Sequence, residues 1–162
     1  MISSTHVDYA GMQVLNTVFG GYFGSRLMSN IREDKGYTYG IGSSVVPLRK
    51  EGYFCISSEV GVDVRAAAVN EIYLELKRLR TELVPESELN LVRNYMLGSF
   101  QRNIDGPFSL ADRFKSILTA GMGYEYYTRY LETIQNITAE ELLRLASTHL
   151  HEDSLYELVV GG

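Results

Sequence analysis

The chain has 162 residues, the length of one ordinary domain, and 45% of them are hydrophobic, enough to build a full core. Charged residues make up 22% and the formal net charge is −5, which argues against a nucleic-acid partner, since that needs a basic face. No apolar run is long enough for a membrane span, and the single cysteine excludes an intrachain disulfide.

The opening "MISSTHVDYAG" runs straight into helical periodicity, with no signal-like apolar region before it. It reads as the start of a piece cut from something larger, so the parent's compartment is not legible. A soluble protein is the expectation, cytoplasmic or periplasmic if bacterial. From Val7 to Phe19 the residues Met12, Leu15 and Phe19 recur at helical spacing, with Val14 and Val18 beside them. Gly20 and Gly21 are expected to stop that helix. Ser25 is placed to cap a second helix, "SRLMSNIRED", which Gly36 ends.

The period then changes. Tyr37, Tyr39, Ile41 and Val45 alternate with Thr38, Gly40, Gly42 and Ser44, the pattern of a strand. "PLRKEG" turns the chain and "YFCISSEV" returns as an antiparallel partner, with Cys55 expected as a small buried hydrophobe. Val69, Ile72, Leu76 and Leu79 mark a long amphipathic helix. Pro85 suits the first turn of the next helix, which runs to about Asn103. "DGP" at Asp105 to Pro107 breaks it. Further helices are expected from Ser109 to about Ala120 and from Tyr124 to Ile134. Thr138 and Glu141 form a capping box for the last one. "SLYELVVGG" is expected to close the chain as a strand. The fold class that follows is α+β: an antiparallel hairpin and a terminal strand in one sheet, covered by helices, in one domain over residues 1–162.

Three groups of residues invite a chemical reading. His149 and His151 sit in "HLHED", two positions apart; on a helix such residues diverge, and the pattern is neither H-E-x-x-H nor its inverse. A solvated helix end, where histidines suit the negative dipole, explains them better than zinc. "GGYFGS" before a helix could cradle a phosphate, but it lacks the P-loop lysine and follows no strand. A tight corner needing positive φ and close backbone approach explains it as well. Arg32 and Tyr39 form the third group. One lies near the end of the second helix and the other early in the strand, so the turn between them folds one back beside the other. A guanidinium and a phenol offer several donors and no strong base, which suits a carbonyl oxygen or a developing oxyanion. The plainer alternative is an arginine paired with Glu33 or Asp34 and a tyrosine filling the core.

The stretch "LNTVFGGYFGSRLMSNIREDKGYTYGIGS" resembles the C-terminal, non-zinc half-domain of the pitrilysin/insulinase family of zinc metallopeptidases. The subgroup it is most similar to is that of the mitochondrial processing peptidase and its bacterial relatives. The likeness continues through "VPESELNLVRNYMLGSFQRNIDGPFSLADRF" and "NITAEELLRLASTHLHEDSLYELVVGG", in register over essentially the whole chain. The resemblance implies half of a LuxS/processing-peptidase-like α/β sandwich in which two homologous domains face each other across a chamber. It implies that zinc belongs to the partner domain, on H-x-x-E-H and a distant glutamate, and that no cofactor binds this chain. It also implies that Arg32 and Tyr39 hold the backbone of a peptide substrate near that zinc, and that Gly20 and Gly21 form a structural glycine turn. Two departures from the family pattern matter. H-x-x-E-H is absent, so the chain alone is expected to be inactive. The chain also begins after the point where such domains start with a strand, so an N-terminal strand is expected to be missing and the exposed edge to favour homo-oligomers. Two alternatives stand beside this: a catalytically inactive homologue like the core subunits of the respiratory cytochrome bc complex, and a small-ligand-binding α+β module.

Overall fold

The structure, a computed structural model, describes residues 2–48, 51–103 and 106–161. Helix α1 (Tyr9–Asn16) continues as a π-helical turn over Thr17–Gly21, so Gly20 and Gly21 end the helix after a wide turn rather than by stopping it short. Its apolar stripe becomes the centre of the molecule: Met12, Val14, Leu15, Val18 and Phe19 are all at most 1% exposed. Each such burial contributes about 1.5–3 kcal/mol relative to leaving the side chain in water. After a short loop the chain winds again. Arg26 and Leu27 lead into a π-helical segment, Met28–Asp34. The expected Ser25 cap does not form. Ser25 is buried with its hydroxyl unpartnered among the described residues, and it serves the helix through its carbonyl, which accepts from Ser29 N–H at 2.9 Å. Gly36, at φ +66°, then reverses the chain in the left-handed region that glycine enters freely.

Strands β1 (Ile41–Pro47) and β2 (Gly52–Ser58) form the antiparallel hairpin, with Ile41 opposite Ser58 and Pro47 opposite Gly52. The Leu48 N–H donates to Glu51 O at 2.7 Å across the turn; of the expected turn "PLRKEG", Arg49 and Lys50 lie outside the described residues. The strand starts later than its alternation suggests. Tyr37 to Gly40 carry no ladder, because the Tyr37 N–H goes to the Ile31 carbonyl and the backbone groups of Tyr39 and Gly40 go to the side chains of Arg32, Thr38 and Ser58. Ile41, Val45, Phe54 and Ile56 face the helices. Cys55, on the other face with Tyr53, is exposed and not the buried hydrophobe expected, because period two puts it opposite Phe54 and Ile56.

Helices α2 (Arg65–Thr81), α3 (Glu86–Arg102), α4 (Pro107–Thr119), α5 (Glu125–Asn136) and α6 (Ala139–His149) complete the domain. Pro85 caps α3 from outside, and Pro107 is the first residue of α4, after Gly106 at φ +98°. Asp105, part of the expected break, lies outside the described residues. Thr138 accepts from the Glu141 N–H at 3.2 Å, the first half of the capping box; the Glu141 carboxylate turns instead to Arg144. Beyond a 3₁₀ turn at Glu152–Ser154 the chain runs without regular structure from Leu155 to Gly161. The terminal strand is therefore not formed, and the sheet of the described residues has two strands. A strand exists only by pairing, and among the described residues this segment is held instead by Leu155 against the core and by a side-chain bond from Tyr73 Oη to Glu157 Oε1 at 2.9 Å.

The N-terminal segment is tied down from far along the chain. Asp8 takes His149 Nε2 on one carboxylate oxygen and Arg144 Nη2 on the other, both at 2.7 Å. Burial alone would raise the Asp8 pKa, but the bonds from His149 and Arg144 outweigh it and hold the carboxyl below its usual range. His149 is thus a packed, paired side chain, not the solvated one expected from its position at a helix end.

Candidate functional site

The site is assembled from the two π-helical segments and the approach to β1. The first segment brings Gly20 against β1 so closely that a Cβ there would meet Ser43 Oγ at 2.5 Å and Ser43 N at 2.8 Å. Gly21 is crowded in the same way by Asn16, whose Oδ1 accepts from Ser43 Oγ at 2.8 Å. Gly20 and Gly21 therefore sit at a close-approach corner. It needs no positive φ, which among the described residues occurs only at Gly36, Gly106, Gly121 and Gly161.

The second segment carries Arg32 and is fastened on two sides. Arg26 forks onto Glu88 of α3 with two bonds of 2.8 Å, and Leu27 is fully buried, so the Ser-Arg-Leu element is a structural anchor. Asn30 Nδ2 donates to Glu71 and Glu75 of α2 at 3.1 and 2.8 Å. Glu75 is itself 3% exposed and takes a further bond from Arg78. π-Helical turns are rare, and they occur often at functional sites. Here two of them flank the six residues Tyr22–Leu27.

The Arg32 guanidinium lies 4.7 Å from the centre of the Phe23 ring, and its Nε donates to the Tyr39 carbonyl at 3.1 Å. The ion pair with Glu33 is long, at 3.8 Å, and both side chains are solvated, so it competes weakly. The backbone around Tyr39 is fixed as well. The Thr38 hydroxyl donates to Glu59 O at 2.6 Å and accepts from Gly40 N–H, while Ser58 Oγ donates to Gly40 O at 3.0 Å. The Tyr39 side chain has none of these restraints and is 101% exposed. It does not fill the core. The structure joins Arg32 to the main chain of Tyr39 and leaves the phenol in solvent on a held backbone. A shallow pocket of about 320 Å³ opens alongside, lined by Gly20, Gly21, Tyr22, Phe23, Met28 and Ile41 among others. Sequence reasoning missed Phe23. The available signal was a large apolar residue inside a glycine corner, "GGYFG", where a turn needs none.

Among the described residues no group of three or more His, Cys, Asp or Glu is placed to hold an ion. The residues of "HLHED" each have other partners: His149 has Asp8, His151 Nε2 has the Thr148 carbonyl at 3.0 Å, and Glu152 has Arg80 at 3.1 Å. They do not fit a zinc ion. Among the described residues, no helix is long and apolar enough to cross a membrane.

The chain is similar to several known proteins. An "uncharacterized zinc protease" of Rickettsia bellii is 28% identical over 155 residues, covering 92% of this chain and 36% of that protein. The "probable inactive metalloprotease YmfF" of Bacillus subtilis is 24% identical over 157 residues, covering 97% and 36%. The chain thus spans about a third of the length of these relatives. The crystal structure of a peptidase M16 inactive domain from Pseudomonas fluorescens superposes with a TM-score of 0.85 at 22% identity, over 93% of this chain and 36% of that one, which establishes a shared α+β fold. A family profile described as "Peptidase M16 inactive domain" matches residues 2–96, which include both π-helical segments, Arg32, Tyr39 and the hairpin, and the chain belongs to that family.

Proposed function

We propose that this chain is the substrate-binding, non-zinc half of a zinc metalloendopeptidase of the processing-peptidase-like subgroup. In this reading it faces a homologous zinc-binding domain, in the same or a separate polypeptide, across a chamber that admits a peptide. The observation that carries it is the Arg32–Tyr39 pair: a guanidinium seated on Phe23 and a free phenol, on a backbone held by Arg32, Thr38 and Ser58. In this reading both side chains donate to one carbonyl oxygen of an extended peptide. Neither needs to move a proton, so their work is to hold the carbonyl and to stabilise negative charge developing on it. Zinc would belong to the facing domain, since no described residues here suit it.

The test is kcat/KM of the intact parent protein carrying Tyr39→Phe or Arg32→Lys. The first removes one donor and is expected to cost roughly a hundredfold to a thousandfold in rate, with folding unchanged. The second keeps the charge but loses the planar fork, and is expected to lower turnover too. Near-normal turnover in Tyr39→Phe defeats the proposal.

A second reading, a catalytically retired homologue, has one specific support: a relative covering 97% of this chain bears the name "probable inactive metalloprotease". The two readings part on peptide binding. A retired domain would bind peptide equally with and without the Tyr39 hydroxyl. We also propose that the open edges of the hairpin and the exposed Tyr156–Gly161 segment, with Tyr156 and Leu158 at 100% and 89% exposure, pair with a second copy of the chain. Sedimentation of a strict monomer at high concentration would reject that pairing.

A further inference from the structure

A different part of the molecule holds a feature that the peptide reading does not use. A cavity of about 720 Å³ lies among α1, α3, α4 and α5, on the size scale of small-molecule sites. Six aromatic rings line it: Tyr9, Tyr95, Phe100, Tyr126, Tyr127 and Tyr130. Tyr126 and Tyr130 stack at 6.1 Å, and Phe100 meets Tyr127 edge to face at 5.7 Å. Burial raises the pKa of both Tyr126 and Tyr130, so their hydroxyls stay protonated as donors across the physiological range.

One charge enters this space. Among the described lining residues there is no aspartate or glutamate, and Arg113 is the only cation, in a chain of net charge −5. Arg113 is built in rather than dangling. Its guanidinium carbon sits 4.8 Å from the Phe100 ring centre and 5.7 Å from that of Tyr127. Its Nε donates to the Asn103 carbonyl, and its own carbonyl accepts from Tyr127 Oη, both at 3.1 Å. Among the described residues, its two Nη groups have no hydrogen-bond partner. A flat cation held on aromatic faces, with its fork open and phenolic donors nearby, is complementary to a planar anion with an apolar body. We propose that this cavity binds a small aromatic carboxylate, its ring between the tyrosines and its carboxylate on the Arg113 fork.

The probe is 2-naphthoate, titrated into the chain by calorimetry, with neutral 2-naphthylmethanol as its uncharged counterpart. Saturable one-to-one binding of the naphthoate, at least tenfold tighter than the alcohol, is expected. Arg113→Met should erase that preference, weakening naphthoate by about tenfold to a hundredfold, the usual cost of a charge-assisted bond. Ser99→Trp, which fills the cavity from α3, should abolish binding of both and keeps the proposal testable if the arginine variant fails to fold. Ring-proton shifts on naphthoate addition should centre on Tyr126, Tyr127 and Tyr130. The proposal is overturned by no binding at millimolar probe, by equal affinity for acid and alcohol, by full affinity in Ser99→Trp, or by shifts centred on Tyr39.

Discussion

The two halves of the chain are held together by different means. From α1 to β2 the core is solid, with Met12, Phe19, Leu27 and Ile31 all at 0% exposure, and the second helical segment is fastened by paired side chains, Arg26–Glu88 and Asn30–Glu75. From α4 to α5 the packing is thin. α4 buries Ile117 and leaves Phe108, Leu110 and Leu118 more than half exposed, and a cavity stands where a core would be. A dense half can hold a site by its backbone and leave one side chain free, as at Tyr39. A sparse half can hold a site only as a lined space.

The most direct way to break this comparison is to cut one aromatic from each half. Phe19→Ala should cost about 3–5 kcal/mol, because its surroundings cannot collapse around the gap. Phe114→Ala, at a side chain 37% exposed and stacked on Tyr124, should cost about 1 kcal/mol or less. Equal losses in urea unfolding would mean that the halves are not different.

The next effect sharpens the claim that the dense half isolates Tyr39 from stability. Tyr39→Phe should leave the melting temperature unchanged, while under the proposed function the intact parent protein loses about 2.7–4 kcal/mol of transition-state stabilisation. A drop in melting temperature of several degrees would show that the phenol packs after all.

Arg26→Met tests the fastening itself. It strands Glu88, whose side chain is 27% exposed, and should cost about 1.5–3 kcal/mol by chemical denaturation. Glu88→Gln, which keeps one acceptor, should cost less. If both are neutral, the Ser-Arg-Leu element is not an anchor.

The smallest effect is a pH dependence at the tie between the chain's two ends. Asp8 has a lower pKa folded than unfolded, so its contribution is present above the unfolded value, near 4, and is lost as pH falls through the folded value below that. The loss should be on the order of 1 kcal/mol or less, since the Arg144 side of the pair is half exposed. Stability measured from pH 6 down to pH 2 should show that slope, and Asp8→Asn should flatten it.

Much of the local structure could be read from residue order alone. The helical spacing of Met12, Leu15 and Phe19, the alternation around Ile41 and Val45, the reversal at Gly36, the Thr138 cap and the Arg32–Tyr39 interval all depend on neighbours a few residues apart, where periodicity and backbone sterics decide. The motif "GGYFGSRLMSNIRED" with "GYTYG" carried the family resemblance for the same reason: its elements occur in register along the chain. What the tertiary structure decided lies between distant residues. It wound two helix segments as π turns, pushed Gly20 onto Ser43, paired Arg26 with a glutamate 62 residues away and brought His149 to Asp8. It also left residues 155–161 without a strand partner among the described residues, turned Cys55 outward and gathered six aromatic rings and Arg113 around one cavity. Such outcomes depend on which faces meet and at what distance, and a one-dimensional pattern specifies the faces without specifying their partners.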